Sequence, residues 1–527
     1  MLANLLCKIF SHAGQSAEPH RYDLSVSAMR KREYPMLHGI TYLDHAGTTL
    51  PSVSLIDAFS EQQKKLLLAN PHSALAEFPS ISQTLTEETR RKVLELFNAS
   101  PEHFEVIFVA NATAAMKLVF DAFRDHDPGF DYYYHRDSHT SLVGGRELAS
   151  QHSCFGIDEV DGTTEWWPNQ QSQSSRRPRL FAYPAQSNMN GRRLPLSWPA
   201  LMRKEENKQN TYVLLDVAAY VSTTPIDLSN HKTAPDFLSM SFYKIFGFPN
   251  LGALVVRKAA AHVFDKRRYF GGGTTDMITC NEDPWVAKKK GLSERLEDGT
   301  GPAHSILALS CAIDVYKRLY GGMAQVSRHT SWLALQLYKE LLAIRHTNGQ
   351  PVCVIYKNPE STYGDPISQG PTVAFNVCAP DGRWFDTALV SNEAMVCKIH
   401  LRAGGMCNPA GMAHALGFSD NELRQFYTAG MRCGEGDHWK GMPLGMVRAS
   451  FGACSTLEDV RVLVSFIRDH FIDRYRRDSG TKLPQQRKAT SVLRSLPHPM
   501  SWIAMTRCCS GREKHTRREL VSKKWET

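Results

Sequence analysis

The sequence predicts an α/β protein: a large, mostly parallel sheet flanked by helices, then a smaller α+β domain. Two observations predict it. Short runs rich in β-branched and aromatic residues alternate with segments of helical periodicity through roughly residue 305. After about Ile306 the rhythm changes to two long helices, then strands, then one closing helix. The implied division is an N-terminal extension over residues 1–37, a large domain over 38–305, a small domain over 306–473 and a tail over 474–527.

Within the extension, Met1 to Phe10 place apolar residues at helical spacing, as a docked or frayed terminal helix would; a mitochondrial presequence is the other reading. Thr89 to Phe97 reads as a helix whose buried face carries Val93, Leu94 and Phe97. The strand-like runs are Val106–Ala110, Leu180–Tyr183, Tyr212–Leu215 and Gly252–Val256. In the small domain, helices are expected from Pro302 toward Tyr320 and from Val326 to Leu342. Strands follow near Val352–Tyr356 and Val373–Val377, then a helix over Thr456–Phe471. No internal repeat or heptad array interrupts this order.

Composition excludes several classes of function. A hydrophobic fraction of 42% with 22% charged residues is that of a soluble globular protein. No run approaches the ~18 to 20 apolar residues of a membrane span. Twelve cysteines without a CxxC pair indicate neither a disulfide framework nor a zinc site, and suit a reducing compartment such as the cytoplasm. The net charge of +9 is concentrated at the end: from Phe471 to Thr527 there are 14 Lys or Arg against 5 Asp or Glu. The body is therefore neutral, which argues against nucleic acid as a partner. The tail reads as a solvated or disordered extension, with a polybasic patch for anionic lipid or nucleic acid as the other reading.

Chemistry first shows in a pair of residues. Asp216 ends the apolar run Tyr212-Val-Leu-Leu-Asp216, and Lys244 lies among aromatics in Ser241-Phe-Tyr-Lys-Ile-Phe-Gly247. A lysine that forms a Schiff base must be desolvated enough to lose its proton near neutral pH, which apolar neighbours at a strand end favour. A carboxylate at the mouth of an adjacent strand keeps a pyridine nitrogen protonated. Each residue alone is ordinary, but together they describe a pyridoxal-phosphate site.

Other segments fit around that pair. Asn111-Ala-Thr-Ala-Ala-Met116 follows a strand and opens a helix, so Ala112, Thr113 and Ala114 offer amides to a phosphate. The loop Tyr269 to Thr275, which includes Thr274, is a second small-residue segment able to meet a phosphate. His139 can stack on a pyridine ring, and Asn188 can reach a cofactor hydroxyl. In Leu401-Arg-Ala-Gly-Gly-Met-Cys-Asn-Pro409, glycines beside Cys407 predict a mobile, exposed loop whose thiolate can attack a bound sulfur atom. Arg402 and Arg448 can grip a carboxylate through a bidentate fork.

Seven ordered motifs carry a resemblance. They are Tyr42-Leu-Asp-His-Ala-Gly-Thr-Thr-Leu50, Asn70-Pro-His-Ser73, Phe181-Ala-Tyr-Pro-Ala-Gln-Ser-Asn188, Ser241 to Gly247, Glu297-Asp-Gly-Thr300, Gly370 to Asn376 and Met406-Cys-Asn-Pro409. Over residues 38–472 the chain resembles the aminotransferase-like domain of the molybdenum cofactor sulfurases. These are class V, fold-type I pyridoxal-phosphate transferases related to cysteine desulfurases.

The resemblance implies that Lys244 carries the cofactor, Asp216 faces its pyridine nitrogen and His139 stacks on its ring. It implies that residues 112–114 hold the phosphate, with Thr274 reaching across a homodimer interface. Arg448 would bind the carboxylate of L-cysteine, and Cys407 would take its sulfur as a persulfide, releasing alanine. The acceptor would be the molybdenum cofactor or another molecule.

Three departures accompany the resemblance. Of the family's cysteine cluster only Cys407 is present in Gly405-Met-Cys-Asn-Pro-Ala-Gly-Met412, and Ala219 stands where related desulfurases often carry Gln. Sulfurases of this type continue into a MOSC domain, whereas here a basic segment of some 55 residues follows. Two other readings stay open, a pyridoxal-phosphate C–S lyase of a specialised pathway and a non-catalytic scaffold.

Overall fold

The computed structural model describes residues 21–73, 80–156, 177–203, 210–432, 438–439 and 441–475. The expectations for the first ten residues and for most of the basic tail lie outside the described residues.

A seven-stranded sheet forms the centre. Its strands are β1 (Phe104–Val109), β2 (Asp131–His135), β3 (Gln151–Phe155), β4 (Arg179–Pro184), β5 (Thr211–Asp216), β6 (Phe237–Ser241) and β7 (Gly252–Arg257). They lie in the order β1-β7-β6-β5-β4-β2-β3. Only β7 runs against the others, pairing antiparallel with β1 and β6. The carboxyl ends of the other six strands therefore share one edge, where ligands bind in open sheets of this kind.

Alternation along each strand separates two cores, because successive side chains point to opposite faces. Val106, Phe181, Leu215 and Val255 enter one core with the helices Ile81–Leu96 and Ala303–Tyr320. Ile107, Leu180, Leu214 and Leu254 enter the other with the helix Ala112–Arg124. The sheet is thus covered on both faces, which explains why its central strands are apolar throughout.

The helix expected over Thr89–Phe97 begins earlier, at Ile81. Ser80 and Gln83 form a reciprocal capping box there, satisfying two otherwise free backbone donors. Arg90 on this helix is buried and bidentate to Glu297 at 2.6 and 2.7 Å. Glu297 also accepts from the Phe108 amide of β1 at 2.6 Å, so one carboxylate joins helix, sheet and the Glu297–Thr300 segment.

A second sheet, antiparallel throughout, comprises β8 (Cys353–Ile355), β9 (Thr372–Val377), β10 (Arg402–Gly404) and β11 (Met446–Ser450), in the order β8-β9-β11-β10. The helices Met323–Ala343 and Leu457–Phe471 bury Leu333, Leu337, Leu463 and Ile467 in its core. Residues near the amino end are tied to this part of the chain. Arg30, on the helix Arg21–Glu33, binds Asp459 at 2.5 and 3.0 Å. Thr41–Tyr42 pairs in parallel with Ile399–His400, and Asp44 then bridges to Ser450 of β11.

Candidate active site

Five strand ends supply one edge with polar groups. Asp216 is the last residue of β5, and Lys244 sits in the single turn Tyr243–Phe246 that follows β6. Asn111 follows β1, His139 follows β2 and Asn188 follows β4. The turn after β6 is tight because Gly247 takes φ +79°, and a Cβ there would lie 2.2 Å from the Leu50 carbonyl carbon. Arg448 comes from β11 of the second sheet, and Cys407 from the loop after β10.

These groups act on one another electrostatically. Burial holds the Asp216 carboxyl above its usual range, opposed by the Ala218 amide and by the charges of Lys244 and His139. The Ala218 amide donates to Asp216 Oδ1 at 2.9 Å, and the carboxylate is only 8% exposed. Burial pulls Lys244 below the ordinary lysine range; Asp216 and Asp44 oppose that shift, while Arg448 adds to it. Burial likewise lowers His139, with Asp216 opposing and Lys244 and Arg448 reinforcing. Arg448 lies in the fields of Asp44, Arg402 and Cys407. Lys244, Asp216, His139, Arg448 and Cys407 are therefore near enough to one another to make a candidate site.

His139 is oriented by its own cap. It precedes the short helix Thr140–Val143, and its Nδ1 accepts from the Ser141 amide at 3.1 Å. An accepting Nδ1 leaves the proton of a neutral ring on Nε2, an assignment made from hydrogen bonding.

At the start of the helix Ala112–Arg124, two of the three candidate amides are already engaged. Ala112 N–H donates to Ser241 Oγ at 2.9 Å, and Ala114 N–H to the capping Asn111 Oδ1 at 3.0 Å. The Thr113 amide is the one that stays open to an anion, beside the Thr113 and Ser141 hydroxyls, which are 2.8 Å apart. Gly252 lets this turn approach the sheet: a Cβ there would stand 2.5 Å from Asn111 Cα and 2.6 Å from the Met240 carbonyl oxygen.

Cys407 is exposed, as expected, but the backbone of its loop is fastened. Asn188 Nδ2 donates to the Met406 carbonyl at 2.6 Å, and Thr140 N–H donates to the Cys407 carbonyl at 2.8 Å. Asn408, fully buried, donates from Nδ2 to Asp137 O at 2.8 Å and to Asn188 Oδ1 at 3.1 Å. Its Oδ1 caps the helix Pro409–Leu416 by accepting from Gly411 N–H at 3.1 Å. The expectation of a mobile loop is thus replaced by a loop pinned at 406, 407 and 408. Met406 and Cys407 adopt left-handed φ values of +56° and +54°, a conformation that surrounding bonds must enforce on residues with side chains.

Three expected site residues sit differently from the rest. Arg402 lies opposite Arg448 in the β10–β11 pairing but is exposed, and its like charge opposes that of Arg448. Thr274 is buried, with its hydroxyl donating to Gly271 O at 2.7 Å within its own loop. The Asn188 amide is committed to the Cys407 loop.

Sequence reasoning assigned no role to Asp44, Ser241 or Asn408. Asp44 Oδ1 accepts from Arg448 Nη2 at 2.6 Å, so the proposed carboxylate grip already holds a carboxylate. All three residues belong to the quoted motifs, and that membership was the available signal.

Comparison with known proteins gives the family and the fold. The family model described as aminotransferase class V matches residues 41–463. The chain is 47% identical over 491 residues to a molybdenum cofactor sulfurase of Chaetomium globosum, covering 93% of this chain and 63% of that protein. It is 49% identical over 461 residues to one from Aspergillus niger, covering 86% and 55%. The chain thus spans between about half and two thirds of the length of these relatives. Among solved structures, a cysteine desulfurase of Thermococcus onnurineus superposes with a TM-score of 0.64 at 19% identity, covering 86% of this chain and 99% of that one. One from Escherichia coli gives 0.62 at 17%, covering 84% and 98%. At such identities these two similarities establish the shared fold.

Proposed function

We propose, for a chain that belongs to the aminotransferase class V family, a pyridoxal-phosphate-dependent cysteine desulfurase that passes sulfur through Cys407 toward molybdenum cofactor sulfuration. The observation that carries this reading is the junction at Asn188, whose carbonyl accepts from Arg448 at 2.7 Å and whose side chain holds the loop of the exposed Cys407 at 2.6 Å, on the same edge as the Asp216 and Lys244 strand ends.

The residues suit the cofactor. Among the described residues no cation lies within ion-pair distance of Asp216, a buried carboxylate whose charge a protonated pyridine would compensate. Thr113 N–H is open for a phosphate at a 13-residue helix, and His139 stands within the field of both Asp216 and Lys244. When bound, pyridoxal phosphate supplies an electron sink for the carbon next to the substrate amine.

The protein's own groups supply the rest. Desolvation favours the neutral amine of Lys244, which can hold the cofactor and then move a proton at the substrate carbon. Asp216 would hold the pyridine nitrogen charged. Arg448 orients the substrate carboxylate. The Cys407 thiolate forms an S–S bond with the substrate sulfur as the Cβ–S bond breaks. The electron pair left on carbon is taken up with protons, and alanine leaves. Cys407 lies close enough to Lys244 and Arg448 to act on both charges.

A homodimer accompanies this reading. The hairpin of Thr275–Thr279 and Trp285–Lys288 is a two-stranded sheet with Met277 62% and Trp285 54% exposed, a form that needs a packing partner. A second subunit covering it would bring Thr274 near a neighbouring site. A cytoplasmic setting suits the eight free cysteines among the described residues. Among those residues, no helix is long and apolar enough to cross a membrane.

The test combines cofactor binding with sulfur transfer. Purified protein should show the visible absorbance of bound cofactor and release alanine from L-cysteine, with a persulfide on Cys407 by mass spectrometry. Lys244→Ala should lose both signals, and Cys407→Ser only sulfur transfer. A colourless wild type that makes no alanine refutes the reading; release of pyruvate and ammonia in place of alanine, surviving Cys407→Ser, moves it to a C–S lyase.

A further inference from the structure

We propose that Asp44 is a built-in stand-in for the substrate carboxylate, which must displace it from Arg448 in order to bind. The inference rests on the proposed function for the identity of the substrate, but its geometry is independent of the sulfur chemistry.

The guanidinium of Arg448 is 4% exposed, and two of its three nitrogens have an acceptor. Nη2 donates to Asp44 Oδ1 at 2.6 Å, Nη1 donates to the Asn188 carbonyl at 2.7 Å, and Nε is buried without an acceptor. A carboxylate binds arginine best through two parallel N–H donors. The Nε–H points to the same side as Nη2, so the fork that would complete itself on an incoming carboxylate is the one Asp44 half fills. One ligand carboxylate spanning Nε and Nη2 would satisfy the orphaned donor and replace Asp44.

Asp44 is placed to leave. Its side chain is 21% exposed against 4% for Arg448, so the acid lies on the open side of the pair. Its backbone is fixed by the bridge to Ser450 and by the Gly47 N–H, which donates to its carbonyl at 3.0 Å, so only the side chain has to move. Gly47 makes room for its second oxygen, because a Cβ there would lie 2.7 Å from Asp44 Oδ2. A freed Asp44 carboxylate stays within the field of Lys244, which has no ion-pair partner among the described residues. Until a ligand arrives, Asp44 spares the site a buried unpaired guanidinium.

The cap also couples recognition to the sulfur acceptor. Arg448 holds the Asn188 carbonyl, and the Asn188 side chain holds Met406 and Asn408. Exchange of one carboxylate for another on Arg448 therefore acts two hydrogen bonds away from Cys407. Asp44 is a specificity-determining residue acting through Arg448: a ligand must outcompete an attached carboxylate, so weakly basic or neutral groups fail.

The test uses propionate, a carboxylate with neither amine nor thiol, bound to the cofactor-loaded full chain and followed by calorimetry. Asp44→Asn should bind propionate about tenfold tighter than wild type, the size expected when a charge-assisted bond no longer competes. KM for L-cysteine should fall in the same variant. Asp44→Glu, which restores a capping carboxylate, should return propionate affinity to within about threefold of wild type. A crystal structure of the wild type with propionate should show the ligand on Nε and Nη2 of Arg448 and Asp44 turned away.

Equal or weaker propionate binding by Asp44→Asn overturns the inference, as does a complex in which Asp44 keeps its place on Nη2. If Asp44→Asn fails to fold, the wild-type complex still decides. Absence of alanine formation by an otherwise intact wild type would sink the functional reading and leave the propionate result to be judged by itself.

Discussion

Replacing Asn408 by Ala removes a fully buried amide that serves both the Cys407 loop and the helix after it. Loss of the cap on Gly411 N–H costs about 1 kcal/mol. The Asp137 carbonyl, which accepts from Asn408 Nδ2 at 2.8 Å, loses that donor in a buried setting, at about 2 kcal/mol. Together these amount to about 3 kcal/mol, concentrated where Met406 and Cys407 are held at positive φ. Released from that constraint, Cys407 shifts relative to the substrate sulfur, and a displacement on the order of 1 Å lowers such a reaction about 100-fold. Cofactor absorbance should persist, because neither Lys244 nor Asp216 contacts Asn408. The assay is alanine release together with persulfide on Cys407, read beside absorbance and thermal denaturation. Asn408→Asp keeps the capping oxygen but turns an acceptor toward Asp137 O and Asn188 Oδ1, so it should be at least as inactive as Asn408→Ala. Wild-type alanine release by Asn408→Ala would refute the view that these bonds place the thiol.

Three further outcomes follow from the described contacts. Glu297→Ala leaves the buried Arg90 guanidinium without its bidentate partner and should destabilise the fold by about 3 kcal/mol, whereas Glu297→Gln should cost less; equal melting of all three proteins would contradict this. In the cofactor-free chain, Lys244 has a folded pKa below its unfolded value, so its ammonium opposes folding at neutral pH and the penalty fades as pH rises toward about 10.4. Lys244→Met should therefore melt higher than wild type at pH ~7, with the gap closing as the buffer approaches that lysine range, and a gap that is flat or widening with pH refutes the sign. Gly252→Ala places a methyl against the backbone of Asn111 and Met240. That change should weaken cofactor retention in an equilibrium dialysis experiment more than it weakens the proposed carboxylate grip at Arg448, since the damage falls on the turn before Ala112.

What could be read from the sequence was local. Asp216 and Lys244 stand at the ends of β5 and β6 because an apolar run ends and polar chemistry begins there, a boundary visible within seven residues. The alternation of strands and helices was legible for the same reason: burial on two faces writes itself into consecutive positions. The start of the helix at Ile81 was not, since its signal is one capping box at Ser80 and Gln83, well before the apolar face at Val93 that marked the helix.

The Cys407 loop and the Arg448 pair fail in a different way. Glycines at 404 and 405 correctly signal a turn, but the bonds that fix it come from Thr140, Asn188 and Asp137, more than 200 residues away. Asp44 and Arg448 are 404 positions apart. Spacing records the chemistry of a side chain only where the partner lies on the same strand end or cap. Arg448 therefore reads in the sequence as a free donor awaiting a substrate, whereas in the fold its charge is already met by Asp44 at 2.6 Å. Any affinity measured at that guanidinium is then a difference between two carboxylates, so a residue near the amino end sets how strongly the substrate must bind.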